Sequence, residues 1–304
     1  MQKLSGGYGF TKIDLADAYN QINLSSESQK KLALSTHKGV LLQKRLPFGI
    51  TSAPGYFQEI MEKMTASLPG VAIYLEDILV SGRDGQDHLK NLRGLLTCLN
   101  ERGLRCRLDK CVFGQASVEY LGHRLSYNGV AKGQKVDAVC KMPVPTNVSS
   151  LRSFLGSVQF YGKFISNLST LIEPLNKLTR KGVQWRWQKE QDQAFRKLKQ
   201  ILVEDTVLAH FDPSIRIGIS CDASDTGIGA VLLHRYKDGS ERPIQNASKT
   251  LTQSQRAYSQ IQKEALAIIF ALKKNHHCLY GRTFILVIDH KPLLATFGPN
   301  KRHL

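Results

Sequence analysis

A chain of 304 residues, 42% of them hydrophobic, is long enough for two or three domains with buried cores, which excludes a peptide hormone, a disulfide miniprotein and a disordered tail. Forty-two Lys and Arg against 25 Asp and Glu leave a formal charge of +17, most of it between residues 101 and 200, and such a field attracts polyanions: nucleic acid above all, an anionic membrane surface less often. The six cysteines (Cys98, Cys106, Cys111, Cys140, Cys221, Cys278) form no C-x-x-C pair and no zinc spacing, so reduced thiols in an intracellular protein are expected, and no apolar run reaches the ~20 residues of a membrane helix.

Periodicity divides the chain into three blocks. The first, residues 1–135, mixes strands and helices. Residues 9–15 alternate apolar and polar side chains, the pattern of a half-buried strand, with Asp14 near its end. Residues 71–75 and 78–80 read as two short strands joined through an acidic turn, Glu76-Asp77. Leu89, Leu92, Leu95, Leu96 and Leu99 then recur at helical spacing, with Gly103 as the stop. Residues 118–130 have the form of a hairpin turning at Asn128-Gly129.

The second block, 136–205, opens on the stiff connector Pro143-Val144-Pro145, followed by a helix cap among Asn147, Ser149 and Ser150. Leu151, Phe154, Leu155, Val158, Tyr161, Phe164, Ile165 and Leu168 mark one side of a helix, and a second helix is expected over 191–202. The block is helical and the most basic of the three. Its Trp185 and Trp187 have the chemistry to stack on bases, but burial is the better expectation.

In the third block, 206–304, Ile215, Ile217, Ile219 and Cys221 alternate with Arg216, Gly218, Ser220 and Asp222, which puts the aspartate on the face opposite the isoleucines. Residues 229–234 read as its partner strand. A helix over 255–274 shows Tyr258, Ile261, Ala265, Ile268, Ile269 and Leu272, and 285–288 form a continuous apolar strand, hence a buried one, ending at Asp289. Glu264 falls on or beside the apolar stripe of its helix, where a carboxylate needs a partner. That partner is either a metal ion shared with Asp222 and Asp289 or a neighbouring Lys or Arg.

Adjacent carboxylates in a turn are usually solvated. Apolar strands on both sides would instead hold Glu76 and Asp77 at the tip of a rigid element, where two anions are costly unless a cation neutralises them. In-line phosphoryl transfer uses two divalent ions about 3.5–4 Å apart, and three carboxylates on neighbouring strands suffice to hold them.

Phe10-Thr11-Lys12-Ile13-Asp14-Leu15, Leu46-Pro47-Phe48-Gly49-Ile50-Thr51-Ser52-Ala53-Pro54, Tyr74-Leu75-Glu76-Asp77, Leu108-Asp109-Lys110-Cys111-Val112-Phe113 and Tyr120-Leu121-Gly122-His123 resemble, in this order, the polymerase motifs of reverse transcriptases from gypsy-type LTR retrotransposons. The resemblance continues through Arg152-Ser153-Phe154-Leu155-Gly156 and Asp222-Ala223-Ser224 to Ile288-Asp289-His290-Lys291-Pro292-Leu293, so that nearly the whole chain is covered. It implies an α/β chain: an α+β palm of a right-hand polymerase with partial fingers (1–135), a helical thumb and connection (136–205), and a ribonuclease H-like α/β domain cut short at its C-terminus (206–304).

The resemblance also implies roles. Asp14, Glu76 and Asp77 match the catalytic, metal-binding triad of the palm. Tyr19 matches the aromatic gate beneath the incoming sugar, with core packing as the plain alternative. Phe48, Gly49 and Gln58 match the nucleotide pocket, Lys110 a lysine that approaches the triphosphate, and Leu121, Gly122 and His123 the primer grip. Asp222, Glu264 and Asp289 match three catalytic, metal-binding carboxylates of ribonuclease H. The implied cofactor is Mg²⁺, two ions per active site, with Mn²⁺ as a substitute. The implied partners are an RNA template, a DNA primer, an RNA–DNA hybrid and deoxynucleoside triphosphates, within a larger Pol polyprotein; no membrane is expected.

The chain departs from the family in three places. The family's hairpin carries two aspartates where this chain has Glu76-Asp77, and the extra methylene moves a carboxylate by about 1 Å, a misplacement that can cost on the order of a hundredfold in rate. Against the family pattern, most of the basic fingers region ahead of Asp14 and the fourth nuclease carboxylate beyond Leu304 are expected to be absent, which would leave both sites incomplete. Two expectations follow: a polymerase and nuclease of reduced activity, or a catalytically silent protein that keeps the fold and the nucleic-acid-binding surface.

Overall fold

The computed structural model describes Leu4 and residues 7–289 and 291–293; His290, part of the last motif, lies outside them. The chain divides into two compact units, Met1–Leu121 with Leu125–Tyr127, and Gly122–Arg124 with Asn128–Leu304. Among the described residues no helix is long and apolar enough to cross a membrane.

The first unit contains, in order, β1 (Gly9–Asp14), α1 (Ser26–Lys31), β2 (Leu34–Thr36), β3 (Gly39–Leu41), α2 (Ala53–Met64), β4 (Val71–Tyr74), β5 (Asp77–Gly82), α3 (Gly85–Glu101), β6 (Val112–Gln115) and β7 (Ser117–Tyr120). Its sheet has the order β4-β5-β1-β6, every pair antiparallel. Ile13 and Leu15 point to one face, where Phe57 and Met61 of α2 and Leu95 and Leu99 of α3 close a core with Ile78 and Val80. Lys12 and Asp14 therefore share the opposite face.

The buried side of α3 is narrower than its leucine pattern indicates. Leu89 and Leu96 are exposed, while His88 and Asn91 are buried in their place. Each makes one hydrogen bond to the sheet beneath, His88 Nε2 with Thr11 Oγ1 at 2.8 Å and Asn91 Nδ2 donating to Ser81 O at 2.8 Å, while His88 Nδ1 and Asn91 Oδ1 are buried without a partner. The helix starts on an Asp84 cap and stops before Gly103, whose φ of 68° is open to glycine.

Two turns differ from expectation. The acidic hairpin turns at Leu75-Glu76, because Tyr74 and Asp77 are already a cross-strand pair, and Asp77 is the first residue of β5. Leu75 takes the left-handed conformation (φ 53°), strained for a leucine, that some two-residue loops demand of their first position. The expected hairpin over 118–130 is three strands: β7, β8 (His123–Ser126) and β9 (Gly129–Lys132), with an additional tight turn at Leu121-Gly122, both at positive φ.

The second unit continues through α4 (Val136–Cys140), α5 (Val148–Phe160), α6 (Leu168–Leu171), α7 (Glu173–Leu178), α8 (Lys189–Val203), β10 (Val207–Leu208), β11 (Arg216–Ala223), β12 (Gly227–Arg235), β13 (Glu241–Thr250), α9 (Gln253–Arg256), α10 (Gln260–Lys274), α11 (His276–Leu279) and β14 (Phe284–Val287). The helix expected through Leu168 ends at Phe160. Beyond it come a short 3₁₀ turn, Gly162–Phe164, and the left-handed Asn167, although Tyr161, Phe164, Ile165 and Leu168 are all buried as their pattern requires. A capping box between Asn147 and Ser150 starts α5.

The sheet of this unit runs β13-β12-β11-β14, with β11 and β14 parallel and the other pairs antiparallel. Ile217, Ile219 and Cys221 pack with Ala230 and Leu232 against Ala267, Ile268 and Ala271 of α10. The single helix expected over 255–274 is two, with capping boxes at Thr252 and Ser259 opening α9 and α10. Its buried face is Lys263, Glu264, Ala267, Ile268 and Ala271, whereas Tyr258, Ile261 and Ile269 are exposed. Within the described residues β14 is an edge strand and only half-buried, where its continuous apolar run reads as a strand covered on both faces. Trp185 and Trp187 are half-buried and stack on each other, ring centroids 6.0 Å apart, with Trp187 edge-on to Phe195.

Candidate active sites

The antiparallel register of β1 and β5 sets Asp14 directly opposite Asp77, and Glu76 precedes Asp77 in the turn. Burial, then the charges of Asp14 and Asp77, push the Glu76 carboxyl above the ordinary range, while Lys110 and Arg107 oppose them. The structure thus brings together three acidic residues that sequence spacing separates by 62 positions. Lys12, on the same face as Asp14, lies 2.9 Å from Asp77 Oδ1 through its Nζ. The backbone anchors the group: Arg107 N donates to Asp14 O at 2.8 Å, and Leu15 N to Glu76 O at 3.3 Å.

Gln58, on α2, braces the acidic turn from below. Its Oε1 accepts from Leu75 N at 2.7 Å, while its Nε2 donates to Ile73 O at 3.2 Å and to Glu62 Oε1 at 2.7 Å. Tyr19 is buried and stands edge-on to Phe48 and Phe57, each ring 5.3 Å away; burial and then Glu76 raise its hydroxyl pKa. Phe48 itself is exposed and is followed by Gly49 at φ 88°. Lys110 sits exposed in a 3₁₀ turn, Leu108–Lys110, within electrostatic range of Glu76.

The turn Leu121-Gly122 leads into a His123 that is buried and stacked on Phe160, ring centroids 5.1 Å apart. Burial, then Lys163, lower its pKa to about 4, so it is neutral at physiological pH. Gly122 leaves room for Phe160, whose Cζ would lie 3.0 Å from a Cβ there.

In the second unit Asp222 is exposed near the end of β11, on the face away from Cys221, and accepts from Asn167 Nδ2 at 3.4 Å. Glu264 is buried on α10; Gln260 Nε2 donates to its Oε1 at 2.8 Å and also to Ala223 O at 3.1 Å. Glu264 adds to the burial that raises the Cys221 thiol to about 12. The partner expected for Glu264 thus includes Gln260, an uncharged amide. The parallel register pairs Ser220 with Val287, and Asp289 follows two residues later, as Asp222 follows Ser220. Asp222 thus lies near the end of β11, Glu264 in the second turn of α10, and Asp289 two residues beyond the end of β14. Asp225, close by, is ion-paired with the buried Lys263 at 3.0 Å.

Among the described residues no three Asp, Glu, His or Cys side chains close into a dedicated metal cage. Mg²⁺ does not need one, because it keeps several waters and is held by one or two carboxylates together with substrate phosphates. The donor chemistry fits: hard carboxylate oxygens, and in the first unit three neighbouring anions, with burial and then the charges of Asp14 and Asp77 raising Glu76. Sequence resemblance puts Gln58 in the nucleotide pocket rather than under the acidic turn and singles out neither Lys12 nor Arg107, although Lys12 stands two residues before Asp14 and so on its face. Nothing local marks Arg107, which tertiary packing delivers.

Residues 1–125 match the family described as reverse transcriptase (RNA-dependent DNA polymerase), and residues 187–286 match the RNase H-like domain found in reverse transcriptase. The chain is similar to the Transposon Tf2-3 and Tf2-7 polyproteins of Schizosaccharomyces pombe (strain 972 / ATCC 24843), 36% identical over 300 residues in each case, covering 97% of this chain and 22% of the relative. It therefore spans about a fifth of the length of the curated relatives it matches. Among solved structures it is similar to the foamy viral protease-reverse transcriptase dRH in complex with ds DNA, with a TM-score of 0.84, 23% identity and coverage of 98% of this chain and 53% of that one. It is also similar to the foamy viral protease-reverse transcriptase in complex with RNA/DNA hybrid, with a TM-score of 0.81, 23% identity and coverage of 100% and 42%. At that identity the similarity shows the fold alone; the order of a reverse transcriptase domain and then an RNase H-like domain is that of the two family matches.

Proposed function

From a chain that carries a reverse transcriptase domain followed by an RNase H-like domain, as retrotransposon polyproteins do, we propose an RNA-directed DNA polymerase joined to a nuclease that cuts RNA in RNA–DNA hybrids. The observation that carries the polymerase reading is the pairing of Asp14 with Asp77 beside Glu76, whose carboxyl burial and then both of their charges raise. Asp14, Glu76 and Asp77 would hold Mg²⁺ in the first unit, and Asp222, Glu264 and Asp289 in the second, with Mn²⁺ as a substitute. Divalent cations so held lower the pKa of the attacking hydroxyl or water and neutralise charge on the transferred phosphoryl group.

The protein's own groups supply placement. β1 and β5 fix Asp14 and Asp77 on rigid backbone, Gln58 holds the strained Leu75 that aims Glu76, and Lys12 fixes one oxygen of Asp77. Tyr19 is placed between the aromatic cluster and Glu76, which supports a part in shaping the nucleotide site. The basic second block gives salt-sensitive, sequence-independent affinity for phosphates. An RNA template, DNA primer, hybrid and deoxynucleoside triphosphates are the partners this reading takes, in the setting of a larger polyprotein.

Two observations favour a silent nucleic-acid-binding protein instead: Asp77 already has Lys12 as a counter-ion, and a glutamate stands at the hairpin position. Primer extension on a homopolymer RNA template with Mg²⁺ or Mn²⁺ separates the two. Incorporation that disappears in Asp14→Asn and Asp77→Asn supports the enzyme. Hybrid binding without incorporation, in the wild type and in Glu76→Asp alike, overturns it in favour of the silent reading. Cleavage of the hybrid's RNA strand, lost in Asp222→Asn, tests the nuclease separately.

A further inference from the structure

The segment entering α6 is built against the end of β11. Asn167 lies in the left-handed region, φ 50° and ψ 32°, at the N-cap position of α6, yet its side chain does not cap that helix. Its Nδ2 donates instead to Asp222 Oδ2. The space it uses is one that β12 leaves open. Gly229 is the cross-strand partner of Asp222, and a Cβ there would fall 2.4 Å from Asn167 Oδ1. Gly227 makes the same allowance for Ser169, whose Oγ would be 2.4 Å from a Cβ. Two further bonds fix the segment on the sheet: Ser169 N donates to Ser248 Oγ at 3.0 Å, and the hydroxyls of Thr170 and Ser224 are 3.1 Å apart.

We infer that Asn167 is a positioning residue of the nuclease centre: its amide orients the Asp222 carboxylate and leaves the second oxygen to a divalent cation. The inference rests on the nuclease reading above. The choice of side chain is chemically telling. A neutral amide holds a carboxylate without cancelling its charge, whereas Lys or Arg at this place would compete with the cation. The neighbouring Asp225 has such a cationic partner in Lys263, and its charge is compensated accordingly. Groups that orient a ligand in this way typically govern metal affinity or activity by 10–100-fold.

The test measures Mn²⁺ binding to the full chain by calorimetry, taking as the nuclease site the one lost in Asp222→Asn, alongside hybrid cleavage at graded Mn²⁺. Asn167→Gly removes the amide while keeping a residue at ease at positive φ. It should weaken that site about tenfold and raise the Mn²⁺ needed for half-maximal cleavage by a similar factor, with the melting temperature and the rate at saturating metal little changed. Gly229→Ala, which drives a methyl into Asn167, should do the same by an independent route. Unchanged Mn²⁺ affinity in folded Asn167→Gly overturns the inference while the nuclease reading stands. A wild-type chain with no Asp222-dependent site overturns the reading itself, and the inference with it.

Discussion

Gln58 decides between two accounts of the polymerase centre. Family resemblance puts it in the nucleotide pocket, whereas its hydrogen bonds put it under the acidic turn, accepting from Leu75 N and donating to Ile73 O. Replacing it with Leu keeps most of the volume and removes both bonds. Each half-buried hydrogen bond contributes about 1 kcal/mol, and an amide N–H left without its acceptor costs about 1–3 kcal/mol. The loss falls on Leu75, held at φ 53° where a leucine is already strained, so the turn is expected to relax. A loss of about 1–2 kcal/mol in local stability corresponds to roughly 5–30-fold faster hydrogen exchange at the Leu75 amide. A relaxed turn that displaces Glu76 by about 1 Å lowers the rate on the order of a hundredfold. The predicted signature in primer extension is a fall in kcat with the KM for deoxynucleoside triphosphate nearly unchanged. A raised KM at constant kcat, with Leu75 exchange unaltered, would refute the reasoning and return Gln58 to the nucleotide pocket.

Glu76→Asp should raise incorporation by up to about a hundredfold if the hairpin side chain alone is limiting, as read by single-turnover extension. The raised Glu76 carboxyl also has a stability consequence: the protonated form is favoured in the folded state, so its contribution is present below the unfolded value of 4.5 and is lost as pH rises through the raised folded one. Glu76→Gln should therefore melt at a higher temperature than the wild type at pH 7, and the gap should close at pH 4. In the second unit, Oε1 of the buried Glu173 accepts from Arg180 and Arg256, each at 2.8 Å, and removing both cations, in Arg180→Met with Arg256→Met, should cost about 3 kcal/mol in urea unfolding, because a buried carboxylate is left without a counter-ion. Gly82→Ala would put a methyl 2.2 Å from His88 N, against helix backbone that cannot turn aside as a side chain can, and should yield little folded protein; expression and melting curves like those of the wild type would contradict the close packing of α3 on β5.

The sequence determined what short-range periodicity can carry. The alternation over 9–15 and 215–222 placed Asp14 and Asp222 on strands and on the faces where they are found, because the side-chain period of a strand is fixed at two. The helix pattern over 191–202 gave α8, and the order of acidic motifs gave the two candidate carboxylate sets. Periodicity also marked Tyr161, Phe164, Ile165 and Leu168 correctly as buried, but it carried no information on whether the stretch is helical, and a 3₁₀ turn over Gly162–Phe164 and the left-handed Asn167 interrupt the helix there. What the tertiary structure decided is which distant residues meet. Register, a property of two strands together, set Asp14 against Asp77; packing of α2 beneath the hairpin made Gln58 a brace; and stacking on Phe160 turned the His123 of a recognised motif into a buried, neutral ring. Asn167 and Asp222 lie 55 residues apart and are joined only because β12 has glycine where a side chain would stand. Such meetings follow from the summed fit of whole elements, so no local stretch of sequence contains them.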